Sequence, residues 1–459
     1  MLRHLILLLI SFNTVAQSAL NTTLLDHWQD DNLITNSSLV RYNECEGFVW
    51  NGQEYGIVGS TEGTHFFKLG KDDKLDQVDF VRGDFSSTFV IHRDFAVYKN
   101  YVYSVCDEGE SSLQIIDISY LPDSVHLVTS FPNEFARVHN IFIDTTSALL
   151  YSCTIAKKVG SSVLLPTSME VHSLADPLNP QLMYAGPSDI NEVHDAFVKN
   201  NIAFLNCGVD GLRVYDFTNP TAPAFLQNLQ FYQDQGYNHQ GWLSPDGKTY
   251  VFGDETKGKR LKKCSVTNNQ VQITSLFGTN FVNESVPHNI YLTNEFAYVA
   301  YYNEGLRIYD IRGDGAIEVA HYDTYPKEEE LFKMRGAWGV HKLPLSSRIL
   351  VSDRINGAFL IDFNEEVFLS NSDRPILIFP NPSETGDMIS IKLANESIKA
   401  FSLNVIDPSG RMIYEADVVN QNYVELRNLH LASGAYTVRV QYPDQLGDQV
   451  IVFDRFVVY

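Results

Sequence analysis

The stretch Pro287–Arg312, PHNIYLTNEFAYVAYYNEGLRIYDIR, limits the fold most, because degenerate copies of it recur along most of the chain. Within it, Ile290–Thr293, Phe296–Tyr302 and Leu306–Ile311 read as short strands rich in aromatic and β-branched residues. The turns Asn294-Glu295 and Asn303-Glu304-Gly305 separate them, so one copy is a β-meander. Further copies begin near Glu46, Arg93, His139, His194, His239 and Ala337, which with the one at His288 makes seven. A repeat of about 45–50 residues, each of three or four antiparallel strands, is the pattern of propeller blades. One such sheet cannot bury both faces, so the copies must stack, and seven around an axis close into a ring.

The expected fold is therefore all-β: a seven-bladed β-propeller followed by a small β-sandwich. Closing the ring requires the two ends of the repeat region to share a sheet. Leu24–Gln29 (LLDHWQ) is similar to the outer-strand segment Val319–Thr324 (VAHYDT), so it is expected to pair with Ala358–Phe363. The divisions read from the chain are a leader at 1–17, a closing segment at 18–42, the propeller at 43–363, a connector at 364–375 and a second domain at 376–459. Inserts at Lys157–Pro166 and Tyr325–Met334 read as surface loops. In the second domain, apolar residues alternate at Ile389 and Ile391, at Phe401, Leu403 and Val405, and at Tyr436, Val438 and Val440. Pro-Ser-Gly and Ala-Ser-Gly turns between such runs describe an antiparallel sandwich.

A hydrophobic fraction of 44% over 459 residues is ample for one large core and one small one. The net charge of −22 excludes a nucleic-acid binder, since no basic run is present to neutralise phosphates, and it disfavours anionic membranes. Met1–Gln17 has Arg3 and His4, then apolar Leu5–Ile10, then the small residues Thr14 and Ala16. This is the layout of a secretory signal peptide. No later segment has the apolar length of a transmembrane helix. Of five cysteines, Cys106, Cys153 and Cys207 fall at like places in successive copies, while Cys45 and Cys264 stand apart. Neither a zinc spacing nor a disulfide framework emerges.

Phe379-Pro380-Asn381-Pro382, Val405-Ile406-Asp407 with Gly410-Arg411, Asn428-Leu429 with Leu431, Gly434 and Tyr436, and the ending Arg455-Phe456-Val457-Val458 carry a specific resemblance. With them the tail resembles the type A sorting domain of the type IX secretion system of Bacteroidota. The resemblance implies export by Sec, then engagement of the type IX machinery with cleavage or attachment at the cell surface. The repeat region, from about Leu24 to Phe363, resembles the choice-of-anchor B family of LVIVD-type repeat proteins. The residues behind this are Tyr55–Thr64, Arg93-Asp94 with Tyr98–Tyr101, Leu113–Asp117 and His288-Asn289. Where that family has Trp in copies one and two, this chain has Glu46 and His92. The resemblance implies architecture and address, not chemistry.

In a propeller the first strand of each blade lines the central channel. The opening pairs of those strands read Glu46-Gly47, Arg93-Asp94, His139-Asn140, His194-Asp195, His239-Gln240, His288-Asn289 and Ala337-Trp338. Ligand-binding candidates are therefore Glu46, Arg93, Asp94, His139, His194, Asp195, His239 and His288. The four imidazoles read either as a site for a metal such as zinc or for an anionic ligand, or as caps repeated for a structural reason, while the number of acidic turns nearby suggests calcium or a cationic partner. Acidic turns at Glu62, Asp107-Glu108, Asp210, Asp254-Glu255, Glu304 and Asp353 are accounted for by turn chemistry. Two functions compete with a purely structural envelope role. One is a secreted or surface propeller that binds an extracellular ligand at its channel. The other is a metal-assisted lyase or hydrolase with the four histidines as ligands and Glu46, Asp94 or Asp195 as base.

Overall fold

A computed structural model of the chain describes residues 18–35, 38–160, 163–279, 285–313, 315–326, 334–363, 365, 376–379, 381, 383, 388–394, 398–427, 429, 431–443 and 449–458. The leader at 1–17, most of the connector at 364–375, and 327–333 of the second insert lie outside the described residues.

Among the described residues, strands between 18 and 363 form seven sheets, six of four strands and one of five. Their innermost strands are Tyr42–Trp50, Arg93–Tyr98, Arg137–Asp144, Asp195–Lys199, Asn238–Leu243, Ile290–Leu292 and Ala337–Lys342. Each packs against the next and the last packs against the first, so the sheets are blades around one axis.

The sixth blade shows why the repeat folds this way. Phe296–Tyr301 is buried along its whole length, paired with Ile290–Leu292 on one side and Gly305–Asp310 on the other. Its Phe296, Tyr298 and Ala300 pack against Ile349, Val351, Phe359 and Ile361 of the seventh blade. Burying an aromatic there contributes about 1.5–3 kcal/mol. At Gly305 the backbone has φ +71°, and a Cβ would stand 2.2 Å from the Tyr322 carbonyl oxygen. The same turn in two other blades uses Gly211 and Gly357, also at positive φ and also against a backbone carbonyl. Glycine recurs in the repeat because the outer strand passes too close for any side chain.

Thr23–Trp28 pairs antiparallel with Gly357–Asp362, placing Thr23 opposite Asp362 and Trp28 opposite Ala358. This is the pairing that the LLDHWQ segment predicts. Trp28 also meets the rings of Tyr42, His65 and Phe67 of the first blade at 5.6, 4.9 and 4.8 Å. The two ends of the ring thus share one sheet, which clasps the ring shut. Ala19–Leu20 adds a fifth strand to the sixth blade.

The insert Lys157–Pro166 is not the loop expected of it. Leu149–Val159 and Val163–Ser173 pair out to Val159 opposite Val163, so the insert lengthens a hairpin of the third blade. The ladder continues because Ile155, Val159 and Val163 suit a strand, and Lys157 reaches Glu170 at 3.0 Å.

Beyond the propeller, Ile376–Phe379, Ile389–Leu393 and Tyr423–Leu426 form one sheet. Met412–Val419, Ala400–Ile406, Gly434–Pro443 and Gln449–Val458 form another. Ile391, Leu403, Val405, Val438 and Phe456 are among the residues of the core between them, which makes a sandwich. Lys392 of the sandwich and Asp310 of the sixth blade make a buried ion pair at 3.2 Å. All five cysteines are buried and free.

Candidate functional site

Three successive levels of the inner strands surround the axis. At the first, His92, His139, His194, His239, His288 and Trp338 form a belt of rings. Successive centroids lie 4.4, 4.3, 4.2, 4.4 and 4.0 Å apart, and Trp338 returns to His92 at 5.6 Å. All except His139 are buried. The four predicted imidazoles do share one level, but they pack against each other and line no common cavity.

Two predicted positions differ. Arg93 leaves the channel and fills the gap between the first two blades, where its Nε donates to the Ser60 carbonyl at 2.7 Å and Nη2 to the Phe85 carbonyl at 2.6 Å. His92 takes its place in the belt. Glu46 lies not in the belt but at the third level, and Glu44 is the first blade's residue at the second. For Glu46 the reason is local: a register shift at Tyr42/Cys45 marks a β-bulge in the first blade, whereas Arg93–Tyr98 pairs with Tyr101–Cys106 without a shift. A bulge changes which side chain faces the axis, so counting by twos from the repeat loses its place.

Hydrogen bonds fix the protons of half the belt. Asp107 Oδ2 is 2.5 Å from His139 Nδ1, His139 Nε2 is 2.8 Å from His194 Nε2, and His194 Nδ1 is 3.0 Å from the His239 carbonyl oxygen. A carbonyl only accepts, so His194 donates from Nδ1 and, being neutral, accepts at Nε2. His139 must then donate from Nε2, and Nδ1 shares a further hydrogen with Asp107. Three hydrogen bonds need one proton more than two neutral imidazoles hold, and that proton belongs to the His139–Asp107 pair. Burial, and then the neighbouring imidazoles, push His194 and His239 well below the usual histidine range. His288 is pushed down by burial and then by His239. Burial takes His92 down to about 4. Asp107 is held low because the hydrogen bond and charge of His139 outweigh its burial.

Two of the acidic turns reach this belt. Besides Asp107, Glu255 Oε2 faces His239 Nε2 at 4.0 Å, and the Tyr302 hydroxyl donates to its Oε1. Among the described residues, His239, Glu255 and His288 form one group in which a ligand atom of each lies within 4.8 Å of the others. His139 and His194 spend nitrogens on each other, so the four histidines do not converge on one ion. Among the other acidic turns Asp353 accepts from the Ile355 and Asn356 amides, as turn chemistry requires, whereas Asp254 makes a buried ion pair with Lys262 at 2.7 Å and Glu304 pairs with Arg307 at 3.2 Å. Asp107 and Glu255 were legible only as turn residues, although both sit where second strands end beside the belt.

The second level holds Glu44, Asp94, Asn140, Asp195, Gln240 and Asn289, which line a cavity of about 230 Å³. Several stitch one blade to the next. The Ile141 amide donates to Asp94 at 2.6 Å, Gln240 bonds both backbone groups of Ile290 at 3.2 and 2.9 Å, and Asn289 donates to Glu44 at 2.5 Å. Burial, opposed by the Ile141 and Phe95 amides and aided by Glu46, raises the Asp94 carboxyl to about 7. Burial and then Asp94 raise Glu44 and Asp195 well above the usual range.

At the third level Glu46, Phe142, Trp242, Tyr291 and His341 wall the same cavity. Trp242 and Tyr291 lie 4.9 Å apart, Tyr291 and His341 4.8 Å, and His341 Nδ1 is 3.4 Å from Glu46. Phe142, Trp242 and Tyr291 remain partly exposed, as do Asp94 and Asp195 behind them. None of the described lining residues is Lys or Arg.

With this geometry in view, residues 92–130 and 288–314 match the LVIVD repeat, and residues 377–452 match the secretion system C-terminal sorting domain. Among solved structures the chain is similar to the β-propeller domain of Cps50 (Swd1) of Myceliophteria thermophila. The identity is 11% and the TM-score 0.53, over 75% of this chain and 99% of that one. At such identity the likeness shows the fold alone. A search of curated proteins finds no match. The class is therefore a β-propeller with LVIVD repeats. It carries a type IX sorting domain, which indicates export to the cell surface or secretion. No helix among the described residues is long and apolar enough to cross a membrane.

Proposed function

We propose that this chain is an extracellular binding protein whose channel takes a small organic cation from the aromatic end, and that residues 1–17 direct the first step of its export. The observation that carries the reading is the set of Glu44, Asp94 and Asp195 around one cavity without a Lys or Arg in its lining. Like-charged carboxylates in such a space hold protons that a cation would displace. Trp242, Tyr291 and Phe142 supply ring faces for cation–π contact at the entrance. A volume of 230 Å³ suits a ligand smaller than those filling the roughly 300–1,000 Å³ pockets of drug-sized molecules.

Titration calorimetry of the secreted chain with methylammonium through tetramethylammonium, and with glucose as a neutral probe, tests this. Saturable binding of one ammonium is expected, with proton release that varies with buffer, and Asp94→Asn with Asp195→Asn should weaken it about tenfold or more. Glucose alone binding, or ammonium binding untouched by the double substitution, overturns it.

A further inference from the structure

We propose that His239, Glu255 and His288 form a binding site for a first-row divalent metal ion, with zinc the best suited to two imidazoles and one carboxylate. The site stands at the end of the channel where the inner strands begin, on the belt's far side from the cavity, and it does not rest on the cation reading.

The spacing is the first argument. His239 Nε2 and Glu255 Oε2 are 4.0 Å apart, too far for a hydrogen bond. Two donors bound to one ion at about 2.0–2.2 Å each stand roughly 3–4 Å from each other. A contraction of under about 1 Å therefore brings all three ligand atoms, now within 4.8 Å, to bonding distance of a shared ion.

The groups behind the ligands are the second argument. His288 Nδ1 donates to the Trp338 carbonyl at 2.7 Å, which fixes the ring and leaves Nε2 as the lone-pair nitrogen. The Tyr302 hydroxyl holds Glu255 Oε1 and leaves Oε2 free to bind. Such outer partners orient metal ligands and set their tautomers. Among the described residues no Lys or Arg makes an ion pair with the half-buried Glu255; the Arg354 charge reaches it only from beyond that distance. Three protein ligands leave a coordination position for water or a small anion. The Arg354 guanidinium, 4.6 Å above the adjacent Trp338 ring, favours an anion there.

The test uses the full secreted chain, stripped with a chelator and dialysed against zinc, with metal counted by elemental analysis. One zinc per chain is expected. Glu255→Gln and His288→Asn should each weaken binding by about 100-fold, Tyr302→Phe by about 10–100-fold, and His126→Asn on the exposed outer strand His126–Phe131 should leave it unchanged. Circular dichroism checks that each variant folds. Cobalt(II) on the unsubstituted chain gives a readout that needs no variant, with strong visible absorption expected for four or five ligands. A chain that takes up no zinc, a weak octahedral cobalt spectrum, or a folded Glu255→Gln variant that binds zinc normally overturns the proposal.

Discussion

At the end of the channel where the inner strands begin, six rings pack against one another, whereas one to three residues further along the same strands carboxylates and aromatic side chains surround an open cavity. Both ends are polar, and both are built from equivalent positions of one repeat. Their difference is in what the polar groups can do for each other. Imidazoles are donor and acceptor at once, so His194 and His288 bond the carbonyl of the next blade's ring residue and the belt packs ring against ring. Carboxylates only accept and repel one another, so Asp94, Asp195 and Glu44 need protons, backbone amides or a foreign cation. A closed ring of strands thus holds a packed belt and an open pocket a few ångströms apart.

The sharpest way to break this comparison is to substitute one member of each level. His194→Ala should destabilise the chain by about 3–5 kcal/mol in urea unfolding, because it leaves a cavity, an unpaired His139 donor and an unpaired His239 carbonyl. Asp195→Asn, one residue along, should cost less than about 1 kcal/mol or stabilise, since it removes a like charge. Equal losses for the two would mean that the belt and the polar level are held by the same forces.

A second difference lies in pH. Asp94 titrates near 7 in the folded chain against about 3.9 when unfolded. Below pH about 4 it is protonated in both states and has no effect. As pH rises from 4 to 7 only the unfolded chain ionises readily, so stability falls, by on the order of 2 kcal/mol after allowing for water in the cavity, and levels off above 7. Asp94→Asn should flatten that slope in denaturation measured across pH 4–8, and an unchanged slope would place the titration elsewhere.

Smaller effects sharpen the picture of the open end. Trp242→Leu should weaken tetramethylammonium binding about three- to tenfold in calorimetry, with the carboxylates untouched. Glu46→Gln, at the rim beside His341, should change affinity only about twofold and chiefly at low salt. A larger loss at Glu46 than at Trp242 would move the ligand from the aromatic wall to the rim.

Much of the architecture was readable before any coordinates. The Gly305, Gly211 and Gly357 turns, the buried second strands, and LLDHWQ as the closing strand all follow from local chemistry repeated in register. The hairpin at Lys157–Pro166 reads as a loop because it is an insert in the third copy of the repeat, yet its two arms pair with each other. At the site, His139, His194, His239 and His288 were found by their recurrence, and Asp94 and Asp195 by following them. His92, Glu44, Asp107 and Glu255 were not: a bulge breaks the count at Glu44, the second blade's ring residue stands one place before the repeat's opening pair, and turn residues keep no period.

The amino-acid sequence by itself determined the repeat, the ring that the repeat must close, the sandwich at its end and the histidines that recur on its inner strands. These rest on interactions between near neighbours in the chain, which leave a periodic trace. Only the tertiary structure decided that the imidazoles seal the channel instead of enclosing a cavity, that Arg93 turns away from it, and that Glu255 stands against His239 and His288. Those contacts join different blades, and their geometry is set by how far each strand bulges as it passes the axis, a quantity of which the order of residues keeps no record.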